Sequence, residues 1–180
     1  MGAKEDPYLT EIQPNRPLLL VDIDGVISLF GFEPGAHPAG SFRSIDGIPH
    51  FLSSSAAEHL LALACVFELV WASGWEEKAN EHLPHLLGLP ELPHLSFDRR
   101  VRGTRRTNAH WKLESIDAYA ENRPLAWIDD AFNEACHEWA SARPAPTLLV
   151  QTTPASGLTR REAEILEGWA RALAEERGSR

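Results

Sequence analysis

Short apolar runs recur along the chain at Leu18 to Ile23, Val66 to Ala72, Leu125 to Ile128 and Thr147 to Val150. Each is too short and too continuous for an amphipathic helix, which predicts strands buried on both faces of a parallel sheet. His94 to Phe97 is a further, less apolar strand candidate, third in chain order. Helical patterns lie between these runs. Ser55-Ala-Ala-Glu58 reads as a capping box that opens a helix through about Cys65. Glu76 to Leu87 has helical spacing, which Pro84 is expected to kink or end early. Trp111 to Ala120 and Ala131 to Ala142 follow the same period. Thr159-Arg-Arg-Glu162 is a second capping box, and it opens a last helix with Ile165, Leu166, Trp169 and Leu173 on one face.

Strands that alternate with helices predict an α/β fold, a Rossmann-like three-layer parallel sheet with helices on both faces. With 180 residues the chain is long enough for one domain with a proper core and short for two. Residues 1–16 read as an N-terminal arm, and residues 17–180 as a single domain. Within it, residues 28–52 form a flap or small hairpin rich in Gly, Pro and aromatics, and residues 159–176 a C-terminal helix.

Hydrophobic residues make up 43% and charged residues 24%, an ordinary globular composition. No apolar run approaches the ~20 residues that span a bilayer, and the first residues lack the apolar stretch of a secretory signal. Cys65 and Cys136 sit in apolar surroundings without a paired Cys or His pattern, so they read as reduced core residues of a cytoplasmic protein. The net charge of −9 argues against coating nucleic acid with the whole surface. The charge is uneven, however: Arg99, Arg100, Arg102, Arg105 and Arg106 fall within eight residues. Such a cluster is either a solvated loop or a local anion site.

In parallel α/β sheets ligands bind outside the carboxyl ends of the strands, so the strand ends carry the chemistry. The first strand runs into Asp22-Ile23-Asp24-Gly25, where period-two geometry projects both carboxylates together. Like charges this close repel unless one stays protonated or a cation sits between them, which suits a hard divalent ion with oxygen ligands; the plain alternative is an Asp-Gly hairpin turn. The second strand ends in Ala72-Ser73-Gly74, where a hydroxyl and free amides make an anion site or Ser73 caps the next helix. The fourth ends in Asp129-Asp130, of which capping explains one but not easily both. Lys112 opens the helix that leads there, and a lone lysine in that place is ordinarily solvated.

In this order the residues resemble the haloacid dehalogenase (HAD) superfamily. Leu20-Val-Asp-Ile-Asp-Gly-Val-Ile27 matches its first motif, Ala72-Ser-Gly74 its second, Lys112 its third and Ile128-Asp-Asp130 its fourth. Lys78 is a second candidate for the third motif. The Trp-Ala-Ser-Gly-Trp and Ala-Trp-Ile-Asp-Asp strings resemble a subgroup associated with RNA-repair proteins. The resemblance implies a Mg2+-dependent phosphatase in which Asp22 attacks phosphorus and Asp24 acts as general acid and base. It implies a metal site at Asp22, Asp24 (through its backbone carbonyl), Asp129 and Asp130, and phosphoryl contacts from Ser73, Gly74 and Lys112.

Cap insertions set substrate choice in this superfamily, and the lengths here leave room for a flap but hardly for a cap domain. An open site admits the phosphorylated end of RNA or DNA as well as a small metabolite. The arginines follow the third strand candidate, which places Arg102, Arg105 and Arg106 on the catalytic face as substrate-binding candidates. A metabolite phosphatase, a phosphotransferase and a silent binding domain on the same fold are the alternatives.

Overall fold

The computed structural model describes residues 16–98 and 108–179. The chain order begins with β1 (Leu18–Val21), β2 (Ser28–Leu29), β3 (Gly40–Ile45), β4 (Ile48–Ser53), α1 (Ser54–Leu63) and β5 (Glu68–Trp71). It continues with α2 (Lys78–Leu87), a 3-10 turn at Ala109–Lys112, α3 (Leu113–Ala120), β6 (Leu125–Asp129), α4 (Glu134–Ala142), β7 (Thr147–Gln151) and α5 (Arg160–Gly178). Four strands form a parallel sheet in the order β5-β1-β6-β7, with Val21 paired to Trp71 on one side and Ile128 on the other.

Alternation along β1 builds two cores. Leu19 and Val21 pack with Leu60 and Leu63 of α1, Leu83 of α2 and Leu166 of α5. Leu18 and Leu20 point the opposite way and pack with Ile116 of α3 and Cys136 of α4. The expected three layers are present. Among the described residues, no helix is long and apolar enough to cross a membrane.

Residues 28–53 fold into a second sheet, antiparallel and ordered β2-β4-β3. Its hairpin turns at Asp46-Gly47, both at positive φ (52° and 81°), as a two-residue primed turn requires. The Asp-Gly hairpin weighed for Asp24-Gly25 therefore belongs to this later Asp-Gly pair.

Several local expectations are corrected. His94 to Phe97 is no strand: only His94 bridges, beside Trp71, because the Phe97 amide that would extend the ladder past Leu95 donates instead to Glu76 Oε1 at 3.1 Å. The α1 cap is Ser53, whose hydroxyl accepts from the Ala56 amide, and not Ser55. Helix α2 runs through Pro84, its seventh residue, where the missing amide forfeits the ladder bond to Asn80, the third residue of the helix. Helix α4 starts at Glu134 with Asn133 as its cap, since the Ala131 amide is engaged by Asp129. On α5 the buried face is Ala163, Leu166, Ala170 and Leu173, and Ile165 lies in solvent. Cys65 is exposed in the turn after α1, whereas Cys136 is buried, and both are free.

Candidate active site

Strand β1 ends at Val21, so neither aspartate of the first motif lies on it and strand alternation does not aim them. A tight turn does. The Ile23 carbonyl accepts the amides of Val26 (3.2 Å), Ile27 (2.9 Å) and Ser28 (2.9 Å), which winds the chain back on itself. Asp22 is turned inward and buried, while Asp24 stands exposed beside it. The loop after β7 braces this turn: Thr152 Oγ1 donates to the Gly25 carbonyl at 2.8 Å and the Leu158 amide to the Val26 carbonyl at 2.9 Å. Gly157 permits that approach, since a Cβ there would sit 2.3 Å from the Val26 carbonyl oxygen.

The three neighbouring strand ends meet at β1. One carboxylate oxygen each from Asp22, Asp129 and Asp130 lies within 4.8 Å of the others. Lys112, 3% exposed, reaches them from the 3-10 turn. Its Nζ lies 3.0 Å from Asp22 Oδ1 and donates to Asp129 Oδ2 at 2.6 Å. The other oxygen of Asp129 accepts the Ala131 amide at 3.0 Å. Lys78, the other candidate lysine, lies on the surface and pairs with Asp46 of the flap hairpin.

Three carboxylates against one ammonium leave an excess of two negative charges in a buried place. The proton equilibria register that excess. Burial, and then the charge of Asp22, pushes the Asp129 carboxyl up to about 6. The same two causes raise Asp130, and Asp24 as well, whose carboxyl is crowded by the cleft although the residue as a whole is exposed. Burial pulls the Lys112 ammonium down, but Asp22 and Asp129 outweigh it, so its pKa ends above the usual lysine value. An all-oxygen donor set with surplus negative charge fits a divalent cation such as Mg2+. The Asp24 carboxylate, which was not itself the expected ligand atom, lies outside the group of three and accepts the Trp75 indole Nε1–H at 3.0 Å.

These residues line a cleft of about 360 Å3 together with Ser73, Gly74 and Trp75, and with Asn108, Ala109 and Trp111 on the facing side. Ser73 is buried and does not cap α2, which starts only at Lys78; its hydroxyl is 3.5 Å from the Trp75 amide. Phe30, 51% exposed, stands at the mouth. The expected residues Asp22, Asp24, Ser73, Gly74, Lys112, Asp129 and Asp130 are thus brought to one cleft. Arg102, Arg105 and Arg106 lie outside the described residues; Asn108, two positions beyond Arg106, lines the cleft. Phe30, Trp75, Asn108 and Trp111 were not read from the sequence as site residues. The signal available was the aromatic that follows the second motif and the one that precedes Lys112.

A parallel sheet whose strand ends gather an Asp-x-Asp-Gly turn, a serine, a lysine and an acidic pair has the architecture of the HAD-type phosphohydrolases. Residues 18–163 match the family model described as the HAD domain in Swiss Army Knife RNA repair proteins, and the chain belongs to that family. Comparison with curated proteins gives no match.

Proposed function

We propose that the chain is a Mg2+-dependent phosphatase that works through an aspartyl-phosphate on Asp22 and acts on the phosphorylated end of a nucleic acid. The observation that carries this reading is the group of Asp22, Asp129 and half-buried Asp130, the first two paired with buried Lys112. When bound there by Asp22, Asp129 and Asp130, with the Asp24 backbone carbonyl, Mg2+ would offset the repulsion between carboxylate and phosphate ester. An Asp22 carboxylate oxygen attacks phosphorus while the bond to the ester oxygen breaks, and protonated Asp24 gives its proton to the departing alkoxide. Water then attacks the phosphorus of the acyl phosphate, Asp24 takes its proton, and inorganic phosphate and free Asp22 result. Lys112, Ser73 and the Gly74 amide face the phosphoryl oxygens and neutralise their charge.

The nucleic-acid end is favoured by the family's description and by Phe30, Trp75 and Trp111 along the cleft, since aromatic faces stack on bases of any sequence. A cytoplasmic setting fits the two free cysteines. Two variants test the chemistry. Asp22→Asn should abolish turnover, whereas Asp24→Asn should slow it by ~10²–10⁴. With an aryl phosphate, whose leaving group needs no proton, Asp24→Asn should accumulate a phosphoryl adduct that peptide mass spectrometry places on Asp22. An adduct on any other residue, or near-normal turnover by Asp22→Asn, would refute the reading.

A further inference from the structure

Trp75 follows the second motif and lines the cleft, and its indole donates a hydrogen bond to the Asp24 carboxylate, with Nε1 3.0 Å from Oδ2. Resting on the acid–base role proposed for Asp24, we infer that Trp75 is a positioning residue that dictates which Asp24 oxygen exchanges the proton. An indole N–H is a donor only and has no lone pair to accept with. The oxygen it holds therefore remains the acceptor whether Asp24 is ionised or protonated. A carbonyl oxygen accepts more strongly than a carboxyl O–H, so the bond favours the proton on Oδ1, and the same oxygen then serves as acid in the first half-reaction and base in the second.

The indole is itself held. His50 meets the Trp75 ring edge to face, with centroids 4.9 Å apart at 70°. His50 Nδ1 is 2.9 Å from Ser28 Oγ, which fixes the imidazole between two strands of the flap. The chain of contacts Ser28, His50, Trp75, Asp24 thus runs from the flap to the general acid. Without it Asp24, exposed and beyond the end of β1, would be free to rotate among its rotamers. The alternative is that Trp75 only walls the cleft, in which case a phenyl ring would serve equally well.

Trp75→Phe keeps the wall and removes the donor. The full chain with Mg2+ is assayed on an aryl phosphate and on an alkyl phosphate monoester, whose leaving group needs the proton. In single turnovers, formation of the phosphoenzyme from the alkyl ester should slow about tenfold more than from the aryl ester, part of the ~10²–10⁴ that a general acid supplies. Hydrolysis of the phosphoenzyme, which uses the same Asp24 oxygen as base, should slow alike after either ester. Equal losses in phosphoenzyme formation from the two esters, or no loss with the alkyl one while Asp24→Asn still shows the bias, would overturn the assignment to Trp75 alone. If Asp24→Asn shows no bias either, the acid–base role of Asp24 falls and the inference falls with it. An independent readout needs no metal: the indole N–H resonance absent from the NMR spectrum of Trp75→Phe should move in Asp24→Ala, and a resonance that stays in place would overturn the bond itself.

Discussion

A Cβ atom on Gly25 would lie 2.4 Å from Cγ of Asp130, so the turn after β1 and the loop after β6 meet with no room for a methyl group. Gly25 also has φ +75°, a conformation that costs an L-residue roughly 1–2 kcal/mol. Gly25→Ala should therefore lower the melting temperature and, by displacing Asp130 or Asp24, reduce turnover by roughly 10²-fold, as a misplacement near 1 Å can. Thermal melts and kcat measured together check this. A variant with wild-type values for both would mean that the two loops are not in contact.

Lys112 and Lys78 should behave as opposites. Lys112→Ala strips the ammonium from two buried carboxylates, which costs about 3–5 kcal/mol when one partner of a buried pair is removed. It should also reduce turnover severely. Lys78→Ala removes an exposed pair with Asp46 and should leave both stability and turnover unchanged. Denaturant melts and steady-state kinetics on the two variants decide between them.

Metal binding should show a pH dependence of definite sign. The Asp129 carboxyl is raised to about 6 in the folded chain from an ordinary 3.8. Between those values the folded state holds more protons than the unfolded one, so this group's contribution to metal-free stability declines as pH rises from about 4 to about 6. A cation requires the ionised form. Added Mg2+ should therefore raise the melting temperature more at about pH 7.5 than at about pH 5, and chelator should abolish both the shift and the hydrolysis. Robust hydrolysis in excess chelator would contradict the metal assignment.

The arginines test the substrate. If backbone phosphates of a nucleic acid meet Arg102, Arg105 and Arg106, each contact releases counterions and affinity falls steeply with salt. Replacing all three with Ala should then weaken a phosphorylated oligonucleotide far more than a small aryl phosphate, and flatten the salt dependence. Equal effects on the two substrates would favour a small metabolite and return the cluster to a solvated loop.

Much of the architecture was determined locally. Runs such as Leu18-Leu19-Leu20-Val21 and Leu125-Ala126-Trp127-Ile128 can be buried only on both faces, and they became the two central strands. The Thr159 capping box is satisfied by neighbours three residues away and formed as read. What depended on residues distant in the chain was not legible. Period two aimed Asp22 and Asp24 the same way, but the strand stops at Val21. The turn beyond, braced from Thr152 127 residues later, buries one and leaves the other to Trp75. The two lysines are equivalent by local pattern; burial at the three-strand junction decided for Lys112, because only there do Asp22 and Asp129 offset its desolvation. The His94 segment failed as a strand because the Phe97 amide that would extend it is taken by the side chain of Glu76, 21 residues earlier in the chain. Sequence alone thus determined which acidic and hydroxyl side chains stand at the strand ends that meet in the cleft. The tertiary structure decided which of them is buried, which is exposed and which lysine joins them, because burial, close approach and the direction of a carboxylate are set by chain segments that meet only in the fold.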